Sequence, residues 1–342
     1  MFNLEVINKD FNIKLTSYEK YSIILGYTGQ NKTRLFQFIK NAIDNDMCDS
    51  MGIKSSHKII PISSKNEIKA INNFIEDCPV IFLVDEYLAR NLIRVIKNKN
   101  AYCIAIIRKV MHDENMSFKC IHEMTKDSNG VTTIKQKYDI DCFDKDIDKI
   151  DCILTEDKDS ADTIFRHSFN VKIFNAGGKG RIASKLNELS NYNKILLFAD
   201  EGGLASDIED ILSIITLRNL NVVWCLPVCL EHLLLCSKFF NYSASIYDYY
   251  DIRLGSTESY CKHELENISA GTPMEYKHLR DLSECWTKEC TTCANKKSCK
   301  YFIDDNKESI ILSKGPCSYL IHSNPLSDIL SYLENSKNKD RS

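Results

Sequence analysis

The segment GYTGQNKT, which begins at Gly26, matches a phosphate-binding loop at three of the four fixed positions. Such a loop has the pattern G-x-x-x-x-G-K-[ST], in which backbone N–H groups and the lysine bind phosphate and the hydroxyl binds Mg²⁺. Lys32 and Thr33 occupy the last two positions, and Asn31 replaces the second glycine. We expect the phosphate-binding residues to be Gly26, Gly29, Asn31, Lys32 and Thr33, with Thr33 also binding the metal.

Asn31 is the mildest available replacement for that glycine. Glycine suits the position because the backbone must bend tightly and approach the phosphate closely. Among the other residues, asparagine tolerates the left-handed backbone region best. The apolar run YSIIL before the loop predicts a strand, and the spacing of TRLFQFIKNAI after it predicts a helix. This is the context that a phosphate-binding loop requires.

The segment PVIFLVDEY supplies the carboxylates that a nucleotide site of this kind needs. Its apolar run predicts a strand with Asp85 and Glu86 at the carboxyl end. An aspartate there binds Mg²⁺, and a following glutamate orients the attacking water. We therefore expect Asp85 to be a metal ligand and Glu86 a catalytic residue. The alternative keeps Lys32 as a surface lysine and Asp85 as the N-cap of a helix in LARNLIRVI.

The two segments together resemble the Walker A and Walker B motifs of P-loop NTPases. The resemblance covers about residues 1–136, and the strand pair before the loop is similar to the start of ABC-type ATPase domains. It implies binding of ATP with Mg²⁺ and leaves hydrolysis open. The chain contains no LSGGQ-like signature, so the resemblance does not extend to hydrolysis by a head-to-tail dimer.

A second group of acidic residues follows two later predicted strands. Glu156 comes at the end of CILTE, and Asp200 and Glu201 come at the end of KILLFADE. Ligands of open α/β sheets bind at the carboxyl ends of the strands, so these side chains could together hold Mg²⁺ for phosphodiester chemistry. Between them, NAGGKGRIASKL places a glycine-rich turn before a helix, which is a candidate anion-binding site. The alternative is an acidic edge that merely terminates the strands.

The order of these elements resembles the TOPRIM domain of topoisomerases, primases and OLD-type nucleases. In that family a glutamate after the first strand acts in acid–base chemistry, and a D-x-D after a later strand binds metal. The resemblance implies that Glu156 and Asp200 are catalytic and that Asp200 also binds Mg²⁺. Gly202 stands where the second aspartate of D-x-D would fall, and Glu201 or Asp207 would have to substitute for it.

A P-loop module followed by a TOPRIM-like domain is also the plan of OLD-type nucleases, which occur in phage defence and DNA repair. The layout is similar to that of uncharacterised bacterial proteins of this size. The resemblance implies an ATP-binding protein that acts on or docks to DNA. The competing interpretation is a non-enzymatic nucleotide-sensing or scaffolding subunit in which both sites are degenerate. Asn31 and Gly202 are the residues that discriminate between the two.

Four of the 15 cysteines are clustered in ECWTKECTTCANKKSC, with the spacing C-x4-C-x2-C-x5-C. Four thiolates so close in sequence can complete a tetrahedral Zn²⁺ site, and an iron–sulfur cluster is the alternative with the same ligands. In a chain without secretory features, such a cluster indicates a metal rather than disulfides. We expect a zinc site formed by Cys285, Cys290, Cys293 and Cys299.

Strands and helices alternate along most of the chain, which predicts an α/β fold with parallel sheets and helices on their faces. In the first domain AYCIAIIRK is the last predicted strand, and His112 and His122 beyond it are expected to be surface or packing residues. We expect a P-loop NTPase-like parallel-sheet domain at 1–136, an acidic linker at 137–148, a TOPRIM-like α/β domain at 149–245, and an irregular Cys-rich region at 246–342 with the metal site and a disordered tail.

The composition is that of a soluble globular protein, with 44% apolar and 27% charged residues. A net charge of −3 provides no overall attraction to nucleic acid, although a local basic patch would. The start MFNLEVINKDFNIK lacks the apolar core of a secretory signal, and NVVWCLPVCLEHLLLC is too short and polar to span a bilayer. We expect a cytoplasmic protein without a membrane partner, and a homo-oligomer or a partner protein is open.

Overall fold

The computed structural model describes residues 1–27, 31–71, 78–85, 88–96, 99–110, 116–140, 150–156, 171–229 and 261. These residues form two compact units. The first comprises Met1–Asp139 and Gly202–Ser206, and the second comprises Ile140–Glu201 and the described residues from Asp207 onward. Each unit has a β-sheet of its own.

The first unit contains a nine-stranded sheet in the order β4-β1-β2-β9-β8-β3-β7-β6-β5. Its strands are β1 Phe2–Ile7, β2 Phe11–Ser17, β3 Tyr21–Leu25, β4 Ile53–Ser55, β5 Lys58–Ile62, β6 Val80–Asp85, β7 Ala101–Ile107, β8 Ile121–Lys126 and β9 Thr132–Gln136. The helices described in this unit are α1 Lys32–Asp44, α2 Lys65–Ile71 and α3 Ala89–Ile96.

The half of this sheet that runs from β8 to β5 is parallel. Every residue of β3 and β7 is buried, which is the pattern of strands covered on both faces. β6 is equally apolar up to Asp85, its last residue. Because β3 lies between β7 and β8, the chain that follows it emerges in the middle of the parallel strands.

Helix α1 packs on the sheet through one apolar face. Leu35, Phe36, Ile39 and Ala42 are buried in a core cluster that also contains Ile24 of β3 and residues of β1 and β2. Their spacing of three and four residues is that of an amphipathic helix. The packing of this face fixes where α1 begins relative to β3.

The other half of the first sheet is mixed, since β2 and β9 are parallel whereas β4–β1, β1–β2 and β8–β9 are antiparallel, so the expected all-parallel sheet was wrong for this part. β1 and β2 form an antiparallel hairpin, as LEVIN and FNIKLT predict, and β8 and β9 form a second one. No strand was predicted for β8 or β9, and His122 lies within β8 rather than beyond the last strand.

A tight turn explains why β8 and β9 are antiparallel. The carboxylate of Asp127 accepts hydrogen bonds from the N–H groups of Asn129 and Val131, both at 2.9 Å. Gly130 completes the turn with a φ of 80°, which suits glycine. A connection this short can join antiparallel neighbours but not parallel ones.

The second unit contains a four-stranded sheet in which all strands are parallel, in the order β11-β10-β12-β13. Its strands are β10 Cys152–Thr155, β11 Lys172–Asn175, β12 Lys194–Phe198 and β13 Asn221–Cys225. A 3-10 turn at Lys179–Arg181 leads into α4 Ile182–Glu188, and α5 is Ile208–Arg218. The predicted α/β class is confirmed in both units.

Some predicted features lie outside the described residues. They are most of the acidic linker, the helix predicted in SADTIFRHSF and the cysteine cluster. Within the part of the chain that the structure describes, no helix combines the length and the apolar character needed to cross a bilayer.

Candidate functional site

The segment GYTGQNKT connects a central strand to a helix. The N–H group of Gly26 donates to Ile107 O at 3.0 Å and so extends the pairing of β3 with β7 by one residue. Lys32 is the first residue of α1, and Thr33, which is exposed, is the second. The predicted strand–loop–helix arrangement is therefore present. Gly29 lies outside the described residues, and its phosphate contact stays a prediction.

Gly26 occupies a position with no room for a side chain. A Cβ atom there would lie 2.5 Å from Cγ and 2.9 Å from Cδ of Lys32, and 3.1 Å from Sδ of Met124. Real Cβ contacts at the first two distances essentially never occur. Glycine is thus needed at this position so that the aliphatic stem of Lys32 can pack against the backbone.

The ammonium group of Lys32 is held beside the loop. The residue is only 8% exposed. Its Nζ donates hydrogen bonds to Gly26 O and to Tyr27 O, the latter at 3.1 Å. A buried charge needs such partners because its desolvation is costly. The alternative reading of Lys32 as a surface lysine is therefore wrong.

Asn31 adopts the left-handed conformation, with φ 61° and ψ 17°. Its carbonyl accepts the first helical hydrogen bond of α1, from the N–H of Leu35 at 2.8 Å. Its side chain does not cap the helix. Instead, Nδ2 donates to Oγ1 of Thr132 at 3.1 Å. Asn31 therefore provides the backbone shape for which glycine is usual and adds a side-chain contact to β9.

Two residues that the sequence analysis did not identify support this loop. Thr132 begins β9 and binds Asn31 across 101 positions of sequence, and Met124 of β8 lies against Gly26. Both belong to the hairpin that was not predicted. A signal for that hairpin exists in the dipeptide Asn129–Gly130, which is typical of a tight turn between strands.

Asp85 ends β6 at the same edge of the sheet as the loop. It is aligned with Ile106 of β7, which is aligned in turn with Ile24 of β3. Two strand spacings, about 10 Å, therefore separate β6 from the loop strand. The first hydrogen bond of α3 joins Leu92 N to Leu88 O, so Leu88 and not Asp85 is at the N-cap position. Glu86 lies outside the described residues.

In the second unit, Glu156 and Asp200 are brought together. Glu156 directly follows β10, and its N–H donates to Phe198 O of β12 at 3.0 Å. The N–H of Asp200 then donates to Oε2 of Glu156 at 3.1 Å. β10 connects to β11 on one side of the sheet, whereas β12 lies on its other side. The two acidic residues thus lie at the topological switch point, where open α/β sheets bind ligands.

The glycine-rich turn lies beside this pair. Gly178 N donates to Glu156 O at 2.8 Å, and Gly177 and Gly178 both have positive φ angles. A Cβ on Gly180 would lie 3.6 Å from Oδ1 of Asp207, so the Asp207 carboxylate reaches the turn. Two residues could substitute for the missing second aspartate of D-x-D. Asp207 lies at the glycine-rich turn, whereas Glu201 is buried, with only 4% of its surface exposed.

The described residues contain no group of three or more His, Cys, Asp or Glu side chains placed to hold a metal ion. The expected group of three acidic ligands is therefore not assembled among them, and the contact between Glu156 and Asp200 joins the Glu156 carboxylate to the Asp200 N–H. The cysteines of the predicted zinc site, Cys285, Cys290, Cys293 and Cys299, lie outside the described residues, and that site stays a prediction.

Comparison with known proteins found no protein-family model that matches the chain and no curated protein that matches it.

Proposed function

We propose that the first unit binds ATP with Mg²⁺ at the loop between β3 and α1. The observation that carries the proposal is the position of Lys32, a buried ammonium at the first residue of a helix that follows a central parallel strand. A helix N-terminus attracts anions through its N–H groups and its dipole. The first turn of α1 contains Lys32 and Arg34 but no acidic residue, so its charge suits phosphate.

Phosphate oxygens would replace the loop carbonyls as partners of Lys32. Its Nζ now donates to Gly26 O and Tyr27 O. An ammonium group binds an anionic oxygen more strongly than a neutral carbonyl, so the exchange is favourable. Because the side chain is already packed against Gly26, little of its conformational freedom remains to be lost when ATP binds.

The residues available for Mg²⁺ are Thr33 and Asp85. A hydroxyl at the start of α1 and a carboxylate at the end of β6 are hard oxygen ligands of the kind that Mg²⁺ prefers. Magnesium usually keeps several waters and takes one or two protein ligands together with phosphate, which this pair would provide. Glu86 is the proposed water-orienting base, and this role applies to hydrolysis only.

The test is calorimetric titration of the full chain with ATP and Mg²⁺, comparing wild type with Lys32→Met. Methionine retains an aliphatic stem over Gly26 and removes the charge. We expect the Kd to rise about tenfold or more, which is the effect of losing a charge-assisted hydrogen bond.

Lys40→Met is the matched control, because Lys40 lies on the same helix and forms an ion pair with Asp44 at 3.2 Å. Its Kd should equal that of wild type. If the wild-type protein binds no ATP, the proposal is wrong. Binding without turnover would instead favour the non-enzymatic nucleotide-sensing subunit.

A second candidate function, action on or docking to DNA, is favoured by the pairing of Glu156 with Asp200. Glu156 would act in acid–base chemistry and Asp200 would bind the metal, as the TOPRIM resemblance implies.

Plasmid cleavage with Mn²⁺ tests this. Glu156→Gln retains an acceptor for the Asp200 N–H and removes the charge, so we expect cleavage to fall while the fold is kept. Glu188→Gln, at an exposed residue of α4, is the control. Equal cleavage by wild type and Glu156→Gln would exclude the catalytic role.

A further inference from the structure

We infer that Thr132 is a positioning residue for the phosphate loop and acts through the side chain of Asn31. The inference rests on the proposed ATP site. It assigns a ligand-binding role to a residue of β9 that lies outside the loop motif. The contact that carries it is the hydrogen bond from Asn31 Nδ2 to Thr132 Oγ1, at 3.1 Å.

The backbone of Asn31 is in the left-handed region, with φ 61°. This conformation is disfavoured for residues with a Cβ atom, although asparagine tolerates it better than most. A glycine would adopt it without strain but would also leave it easily. With its amide bound to Thr132, Asn31 instead has a side-chain contact that favours the conformation from which α1 begins.

Thr132, whose hydroxyl accepts this hydrogen bond, is itself held in place by the sheet. Thr132 is 1% exposed, and its N–H donates to Asp10 O at 2.9 Å. In the sheet it is aligned with Phe11 of β2. The hydroxyl of Thr132 therefore has a defined position relative to β2, and the amide of Asn31 is held by a rigid partner.

The same β8–β9 hairpin contacts both ends of the loop. At the first end, Sδ of Met124 lies against Gly26. At the second end, Thr132 holds Asn31. Just beyond it, the Arg34 guanidinium of α1 pairs with the Asp10 carboxylate at 2.9 Å, next to the Asp10 carbonyl that binds Thr132. These contacts set the separation between the end of β3 and the start of α1, across which phosphate would bind.

Preorganisation of this kind raises affinity, because a loop already held in its binding conformation loses less entropy when the ligand arrives. The replacement of glycine by Asn31 is therefore compatible with phosphate binding. The hydrogen bond between Asn31 and Thr132 holds the backbone in the conformation that a glycine would adopt but not retain.

The experiment measures the Kd of the full chain for ATP with Mg²⁺ in Thr132→Val, which keeps the shape of the side chain and removes the hydroxyl. We expect the Kd to rise about fivefold to tenfold, the equivalent of one hydrogen bond. Thr132→Ser, which keeps a hydroxyl, should restore binding to within about twofold of wild type. In an Asn31→Gly background, Thr132→Val should cause no further loss, because the two side chains act as a pair.

Thr133→Val is the matched control. Thr133 is the next residue of β9, and its Oγ1 lies 2.8 Å from Oγ1 of Thr125 rather than near the loop. It should lower the melting temperature as Thr132→Val does and leave the Kd unchanged. In the absence of nucleotide, amide hydrogen exchange in the peptide containing Asn31 should accelerate in Thr132→Val only.

The outcomes separate the two claims. If wild type binds no ATP, the proposed function fails and this inference fails with it. If wild type binds ATP and Thr132→Val binds it equally well, or if Thr133→Val weakens binding to the same extent, only the role of Thr132 is overturned.

Discussion

Gly26 is required by its neighbours rather than by its backbone angles. Its φ is not among the positive values found at Gly52, Gly130, Gly177 and Gly178. The stem of Lys32 and the sulfur of Met124 fill the space that a side chain would need. Glycine is thus needed at position 26 because Lys32, the proposed phosphate-binding residue, packs against it.

Gly26→Ala is therefore expected to displace Lys32. Overpacking of this kind costs about 1–3 kcal/mol of unfolding free energy. The shift of the ammonium group should also weaken ATP binding. Denaturant unfolding and calorimetric titration measure the two effects. Gly180→Ala is the control, because a Cβ there meets only an ordinary contact at 3.6 Å. A Gly26→Ala protein as stable as wild type would contradict the packing argument.

His122 predicts a pH dependence of stability. Burial lowers the pKa of His122 below its ordinary value of 6.5, and the nearby backbone of Cys120 and Ile23 only partly offsets the effect. Below pH 6.5 the unfolded chain therefore binds a proton that the folded protein excludes. We expect the unfolding free energy to fall as the pH decreases from 6.5 toward the folded-state pKa.

His122→Gln should reduce this dependence, and urea unfolding between pH 5 and pH 8 measures it. His57, whose pKa is lowered by burial and by the N-terminal ammonium, remains in the variant and leaves a residual slope. Identical pH profiles for wild type and His122→Gln would show that the imidazole of His122 is not protected from protonation.

Among the elements, the β8–β9 hairpin has an importance that its sequence does not suggest. IHEMTK and TTIKQ contain polar and half-exposed residues, so they lack the continuous apolar runs that make β3, β6 and β7 recognisable. β3, β6 and β7 are covered on both faces, and burial on two sides requires apolar residues throughout. The strands that carry the motifs were therefore predictable, and the hairpin that supports the loop was not.

The turn of this hairpin is expected to depend on the side chain of Asp127. Asp127→Ala removes the acceptor of two backbone N–H groups and should lower the unfolding free energy by about 1–2 kcal/mol. Asp127→Asn keeps an acceptor oxygen and is expected to lose much less. Thermal unfolding compares the two variants. Equal losses in Ala and Asn would indicate that the charge of Asp127, and not its hydrogen bonds, is what stabilises the turn.

For the whole molecule, the clearest open prediction concerns the cysteine cluster beyond the described residues. The purified full chain is expected to contain about one zinc ion, held by four thiolates. Cys293→Ser should lose most of it, as measured by elemental analysis. Cys78→Ser is the control, since Cys78 is an exposed free cysteine of the first unit. Iron with sulfide would indicate an iron–sulfur cluster instead, and a protein without metal would contradict both.

The sequence by itself determined the α/β class, the strand–loop–helix position of Lys32, and the placement of Asp85, Glu156 and Asp200 at strand ends. These are local properties, because hydrophobic periodicity and motif spacing act over a few residues. They also indicated that the YSIIL strand would be buried, since burial on both faces requires an apolar run.

Only the tertiary structure decided how those residues are supported. It placed Thr132 against Asn31 across 101 positions of sequence, and it placed the N–H of Asp200 on the Glu156 carboxylate through the order of the parallel strands. Strand order and register arise from the packing of the whole sheet, and no local pattern encodes them. The physical reason is that a hydrogen bond depends on where two atoms meet in space, and folding alone sets that distance.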